Sequence, residues 1–277
     1  MRAGPVRCAR WLFAVAAALA TPAALAAPLP EKGFGLPRDV SAHGHLVDWL
    51  IHYTAAAAGI IFVLVLAAMV WSAARHGRRH QAVYTHGSRG SVGFLLGSVG
   101  LIALVVDGTL FVRTIADMNE VFWNFAGAEK DPQAVRIEVN AHQWAWLARY
   151  PGPDGKFGTE DDVVTLNDIR IPLGVPVVVQ LASTDVIHSL YLPNFRVKRD
   201  AVPGMLNGLT FQARRTGEYE IGCAQHCGPN HYKMRGVLTV LTAEAYQDWL
   251  RSMAEDARRA YDPDDQDAHW GWEWRNL

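Results

Sequence analysis

Cysteine is scarce in this chain, three residues in 277, which excludes a small fold stapled by disulfides. Net charge is scarce too. Twenty-six Lys and Arg against 27 Asp and Glu leave a formal charge of -1, so the chain lacks the basic footprint of a nucleic-acid binder. What is present is unevenly distributed. Half of the residues, 50%, are hydrophobic, and the long apolar runs all lie before Ile115, with mixed and polar sequence after it. That division predicts an anchored protein rather than a uniform globule.

Residues 1–26 read as a secretory signal peptide: Arg2, Arg7 and Arg10, an apolar stretch from Trp11 to Ala20, and Ala24-Leu25-Ala26 as a small-residue cleavage site. A membrane helix is the competing reading, but the stretch is shorter than the roughly 20 residues a span needs and Thr21-Pro22 interrupts it. Cys8 falls in this piece, so the mature chain would keep only Cys223 and Cys227. Residues 27–45 follow as an N-terminal periplasmic segment, and 46–115 as a hairpin of two transmembrane helices, about 46–74 and 91–115. Arg75, Arg78, Arg79 and Arg89 in the connecting loop put that loop in the cytoplasm and the rest of the chain outside, at a bacterial-type inner membrane. Asp107 is the one acid inside the second span; it can reach the headgroups from near the outer end, or serve a proton relay.

From Val135 the pattern turns to short alternating or β-branched runs: "VRIEVNAHQWAWLARY", "VVTLNDIRI", "VPVVVQLAS", "DVIHSLYL", "GLTFQAR", "GEYEIGC" and "RGVLTVLT". About seven strands at this spacing predict an all-β Greek-key sandwich or barrel over residues 116–250. A helix starting at Ala243 closes it, and 251–277 hold the helix end and a Trp-rich tail. That tail either folds on a partner subunit, touches the membrane interface, or hangs loose. The insertion "YPGPDGKFGTEDDVV" reads as an acidic hairpin; Asp154, Glu160, Asp161 and Asp162 also suggest a calcium loop, without full EF-hand spacing.

The stretch "CAQHCGPNHYKM" carries the chemistry. In an oxidising compartment two nearby cysteines suggest a structural disulfide. A disulfide needs neither His231 nor Met234, whereas thiolate, imidazole and thioether together are the set that suits copper. His188, in "TDVIHSLYLP", completes the set from an adjacent strand. A mononuclear blue-copper site needs one Cys; two thiolates, each able to bridge, fit a dinuclear mixed-valence centre suited to one-electron relay.

At these residues the chain resembles subunit II of the heme-copper cytochrome c oxidases. The likeness runs from the membrane hairpin to about Trp249, and is most specific in Cys-x-x-x-Cys-x-x-x-His-x-x-Met, in "DVIHS" with "VKRDAVPGMLN", and in "HQWAW". The resemblance implies a cupredoxin-like domain with a CuA centre of two copper ions. In it Cys223 and Cys227 bridge the metals, His188 and His231 bind one each, Met234 is a weak ligand and the Gln225 carbonyl another. It implies that Trp144 receives electrons from cytochrome c, and that subunit I, with subunit III, is the partner holding heme. Some features depart from the family. Gln225 stands where many members have a glutamate that also reaches magnesium at the subunit I contact, which puts that ion in question. The proton-entrance glutamate before the second span is missing, and Leu147, Ala148 and Arg149 replace acids that attract a basic cytochrome. Arg196, Lys198, Arg199, Lys233 and Arg235 flank the ligand segments and suggest a positive face above the copper.

Three functions compete. One is the electron-transfer subunit of a terminal oxidase, with O2 reduced in the partner; another is the same relay in a heme-copper nitric oxide reductase. The third is a Sco-type copper chaperone, which would need a thioredoxin-like fold and a His after the cysteine pair, whereas His188 precedes it.

Overall fold

A computed structural model describes residues 35–264 except 78, 79, 82, 83, 85 and 122–124, together with 271, 272 and 274. The expected signal peptide, Cys8 and two of the loop arginines, Arg78 and Arg79, lie outside the described residues.

Helix α1 (Gly44–Arg75) is apolar on every side, as a lipid-facing helix is. Ser41 Oγ starts it by accepting the Gly44 amide at 2.6 Å. The second long helix runs as α2 (Arg89–Ile102), a π turn (Ala103–Asp107) and α3 (Gly108–Val121). Spanning 32 and 33 residues, with mean hydropathies of 2.4 and 2.2 over an 18-residue stretch of each, the two are long and apolar enough to cross a membrane. The sequence pattern predicts an unbroken second span. A π turn interrupts it, with the Gly108 amide donating to the Ala103 carbonyl, and within the turn the Val105 carbonyl also accepts Thr109 Oγ1 at 2.6 Å and Tyr53 OH at 3.3 Å. Asp107 ends that turn. A five-residue helix, α4 (Phe125–Glu129), leads into the β domain.

Among the described residues ten strands form two five-stranded sheets. The first orders β3 (Val163–Leu166), β2 (Ala145–Tyr150), β1 (Val135–His142), β5 (Pro176–Ser183) and β8 (Asn207–Gln212). The second orders β4 (Asp168–Pro172), β10 (Arg235–Leu241), β9 (Gly217–Cys223), β6 (His188–Leu192) and β7 (Val197–Ala201). Pairs β1–β5 and β4–β10 are parallel, the others antiparallel. Two of the seven expected runs divide and one strand is added. "VRIEVNAHQWAWLARY" turns at Gln143-Trp144. "VVTLNDIRI" breaks at Asn167, which takes a left-handed φ of 56° that asparagine tolerates, and sends β3 and β4 to different sheets. Its Oδ1 also accepts the Trp146 amide at 2.8 Å, bracing the break.

Alternation along the strands sorts the side chains. Ile137, Val139, Ala141, Trp146 and Tyr150 face Ile171, Leu190, Ile221 and Leu238 across one buried core. Helix α5 (Ala243–Ala260) lies on that core through Tyr246, Leu250 and Ala254, spaced by four. Thr242 Oγ1 caps it by accepting the Ala245 amide at 3.3 Å. No thioredoxin-like arrangement is present in this β domain, so the copper-chaperone reading loses the fold it requires.

The insertion is an acidic hairpin braced by arginines. Arg258 donates to Asp161 at 3.0 Å, and Arg149 lies 3.4 Å from Asp162, so two of its carboxylates are committed to guanidinium groups. Among the described residues no cation-binding cluster forms there.

Candidate metal centre

The sequence-predicted ligands meet at one end of the sandwich. Strand β9 ends at Cys223 and β10 starts at Arg235, paired with Gly222. Residues 224–234 are therefore the closed hairpin loop between them, sealed where the Cys223 amide donates to the Met234 carbonyl at 3.2 Å. His188 opens β6, the strand beside β9, and the register that places Leu190 opposite Cys223 brings His188 alongside the loop.

Gly228 lets the loop turn over the Gln143-Trp144 corner. Its φ of +119° belongs to glycine, and a Cβ there would sit 2.8 Å from Gln143 Nε2. That amide nitrogen instead donates to the Cys227 carbonyl at 2.7 Å, pinning the loop to the first sheet.

The sulfurs of Cys223 and Cys227 are 3.8 Å apart, and both cysteines are free. A disulfide bond is about 2.05 Å long, so this pair is unbonded. His188, Cys223 and Cys227 place their ligand atoms within 4.8 Å of one another. Met234 Sδ is 3.1 Å from His188 Nδ1 and 3.7 Å from Cys227 Sγ. His231 Nδ1 is 3.5 Å from Cys227 Sγ, and the Gln225 carbonyl oxygen is 3.1 Å from Cys223 Sγ. His188, Cys227 and Met234 are buried, while Cys223 and His231 are partly exposed. Burial, helped by the neighbouring Cys223 sulfur, pushes the Cys227 thiol up to about 12. A thiolate at this position thus calls for a cation beside it.

Asp185 is the supporting residue that ligand counting overlooks. Its Oδ1 lies 2.8 Å from His188 Nε2, and its Oδ2 accepts the Gln143 amide at 2.6 Å. Burial alone would raise its pKa, but the hydrogen bond from His188 and those from the Val186 and Gln143 amides hold it below the ordinary carboxylate value. An ionised carboxylate only accepts, so Nε2 carries the imidazole proton and Nδ1 turns its lone pair toward the sulfurs. The available signal was its position three residues before His188 in "DVIHS".

Residues 154–241 match the family described as cytochrome C oxidase subunit II, periplasmic domain. The chain is 32% identical over 230 residues to the alternative cytochrome c oxidase subunit 2 of Bradyrhizobium diazoefficiens, covering 74% of this chain and 79% of the relative. The chain belongs to the cytochrome c oxidase subunit II family. Cytochrome c oxidase subunit 2 of Cereibacter sphaeroides is 28% identical over 242 residues, 76% of each chain. Among solved structures, the periplasmic domain of subunit II of cytochrome oxidase from Bradyrhizobium japonicum is 26% identical with a TM-score of 0.40, covering 44% of this chain and 94% of that one.

Membership of the subunit II family makes this membrane protein part of an oxidoreductase complex and a member of a copper-binding family. The donor set fits copper: two unbonded sulfurs, two imidazoles, a thioether and a carbonyl converge. His188 stands with both sulfurs, and His231 Nδ1 faces Cys227.

Trp144 packs on the core and lies 3.4 Å from the Cβ position of Gly228. It is half-buried, and among the described residues its Nε1 has no hydrogen-bond partner. Three residues of the suggested positive face have acidic partners. Arg196 pairs with Asp48 of α1 through bonds of 2.6 and 3.1 Å. Lys198 lies 4.0 Å from Asp200, and Arg235 is 3.6 Å from Glu220.

Proposed function

We propose that this chain is the electron-transfer subunit of a heme-copper terminal oxidase. It takes electrons from cytochrome c at Trp144 and hands them to heme in subunit I, where O2 is reduced, with subunit III as a further neighbour. The division into a signal peptide (1–26), a periplasmic segment (27–45), a hairpin with a cytoplasmic loop (46–115), a periplasmic copper domain (116–250) and a tail (251–277) is part of this reading.

The observation that carries it is the pair of unbonded cysteine sulfurs 3.8 Å apart with an imidazole and a thioether against them. Cys223, Cys227, His188 and His231 would hold two copper ions, with Met234 and the Gln225 carbonyl as weaker ligands. Bound there, copper supplies one-electron transfer. The residues supply rigidity. Asp185 fixes the His188 ring, Gln143 ties the loop to the strand turn bearing Trp144, and burial of Met234 and Cys227 keeps water from one side. Five side-chain ligands leave no position for a substrate, which favours relay over bond chemistry. Gln225 presents an exposed amide rather than a carboxylate, so no magnesium ligand is assigned to its side chain.

Replacing Trp144 by alanine tests the reading. Stopped-flow oxidation of reduced cytochrome c by the intact complex is expected to slow by roughly tenfold or more, with copper content unchanged. An unchanged rate would remove Trp144 from the path.

A further inference from the structure

The described residues beyond α5 return to the molecule at one place, the outer face of the first sheet. Trp272 donates its Nε1 proton to Gln180 Oε1 at 2.9 Å, and Gln180 is wholly buried within β5. Trp274 donates to Glu129 Oε1, also at 2.9 Å. Glu129 is the buried last residue of α4, the short helix between the second span and β1. The ring of Trp274 stacks on Phe157 of the insertion with centroids 5.3 Å apart, and the Arg136 guanidinium of β1 lies 5.7 Å from it. Gly271 leads in at a φ of +131°, where a Cβ would come within 2.2 Å of Arg149 Nη2. Beneath this cover Arg149 is ion-paired to the wholly buried Glu138 at 2.6 Å.

Two features separate this from incidental contact. Each indole N–H finds a buried acceptor of its own, the arrangement that makes a buried tryptophan specific. Moving the rings into a bilayer or onto another subunit would break both of these hydrogen bonds to buried acceptors. The two rings also join three separate pieces of chain: the linker helix, the outer face of β1 and β5, and the 151–162 insertion.

We propose that the segment bearing Trp272 and Trp274 is an intramolecular ligand of this sheet face, and that it clamps the linker helix, and through it the membrane hairpin, to the β domain. The partner of this face is then the chain's own C-terminus rather than a membrane surface or another subunit. Because the clamp lies on the first sheet and not on the ligand hairpin, it stands independently of the copper reading.

The test uses the full complex in lipid nanodiscs, comparing the parent with a chain ending at Asp264 and with Gly271→Ala, which disturbs the seat while removing no contact. Hydrogen exchange at the amides of α4 and of Arg136–Glu138 is expected to speed up by roughly tenfold or more in both variants. Copper content, which reads the site proposed above, is expected to match the parent. Unchanged exchange at α4 and β1 in both variants would overturn the proposal. So would tryptophan quenching by brominated lipid that falls when the tail is removed, since the rings would then have lain in the bilayer.

Discussion

His188 is shared between a carboxylate and a sulfur, and that division of its two nitrogens sets the geometry of the site. Asp185→Ala removes the acceptor on Nε2, and copper affinity is expected to fall by roughly 10–100-fold in chelator competition. Asp185→Asn keeps an oxygen acceptor and is expected to lose less; equal losses would mean that Asp185 acts only through general packing. The ligands themselves separate by role. Cys227→Ser is expected to leave the chain without its full complement of two coppers, while Met234→Leu keeps both and shifts the reduction potential, as metal counts and redox titration will show. At this scale much was legible. His188, Cys223, Cys227, His231 and Met234 stand out because a disulfide explains none of the His and Met, and the structure brings all five together. Asp185 and Gln143 were not, because acids and amides are common in turns and only a distance shows which of them supports a ligand.

Among the elements, β1 and β2 carry a buried charge cluster on their outer face. Burial pushes Glu138 up to about 7, against the charge and hydrogen bond of Arg149 and with added push from Asp162. The Asp162 carboxyl is itself raised by burial. The consequence for stability has a definite sign. Folding raises the Glu138 value above its ordinary 4.5. The native state therefore keeps a proton that the unfolded chain releases between those values, and stability declines as pH rises through that window. Thermal unfolding of the full chain should show this decline, and Glu138→Gln should flatten it; a slope unaltered by the substitution would place the titration elsewhere. Strand positions were readable because alternation is a local signal, with Ile137, Val139 and Ala141 inward and Glu138 outward. The break at Asn167 and the π turn before Gly108 were not. The first rests on a single residue's left-handed backbone and the second is a local change of backbone hydrogen-bond register, neither of which hydrophobic periodicity registers.

For the molecule as a whole, two apolar helices precede a sandwich whose ligand-bearing end gathers three loops, and this order was evident from the change of period near Val135. The fate of the tail was not evident, since its rings suit a membrane interface, a partner or the chain's own sheet equally well until Gln180 and Glu129 are seen to accept their protons. Two members of the suggested positive face, Arg196 and Arg235, pair with acids from other elements, which their sequence positions do not reveal. The proposed electron relay requires the two unbonded sulfurs, 3.8 Å apart, to share two copper ions. The electron paramagnetic resonance spectrum of the full chain loaded with copper reads that sharing most directly. Hyperfine lines split equally by two copper nuclei are the predicted result; splitting by a single nucleus, or a silent spectrum, would contradict the account.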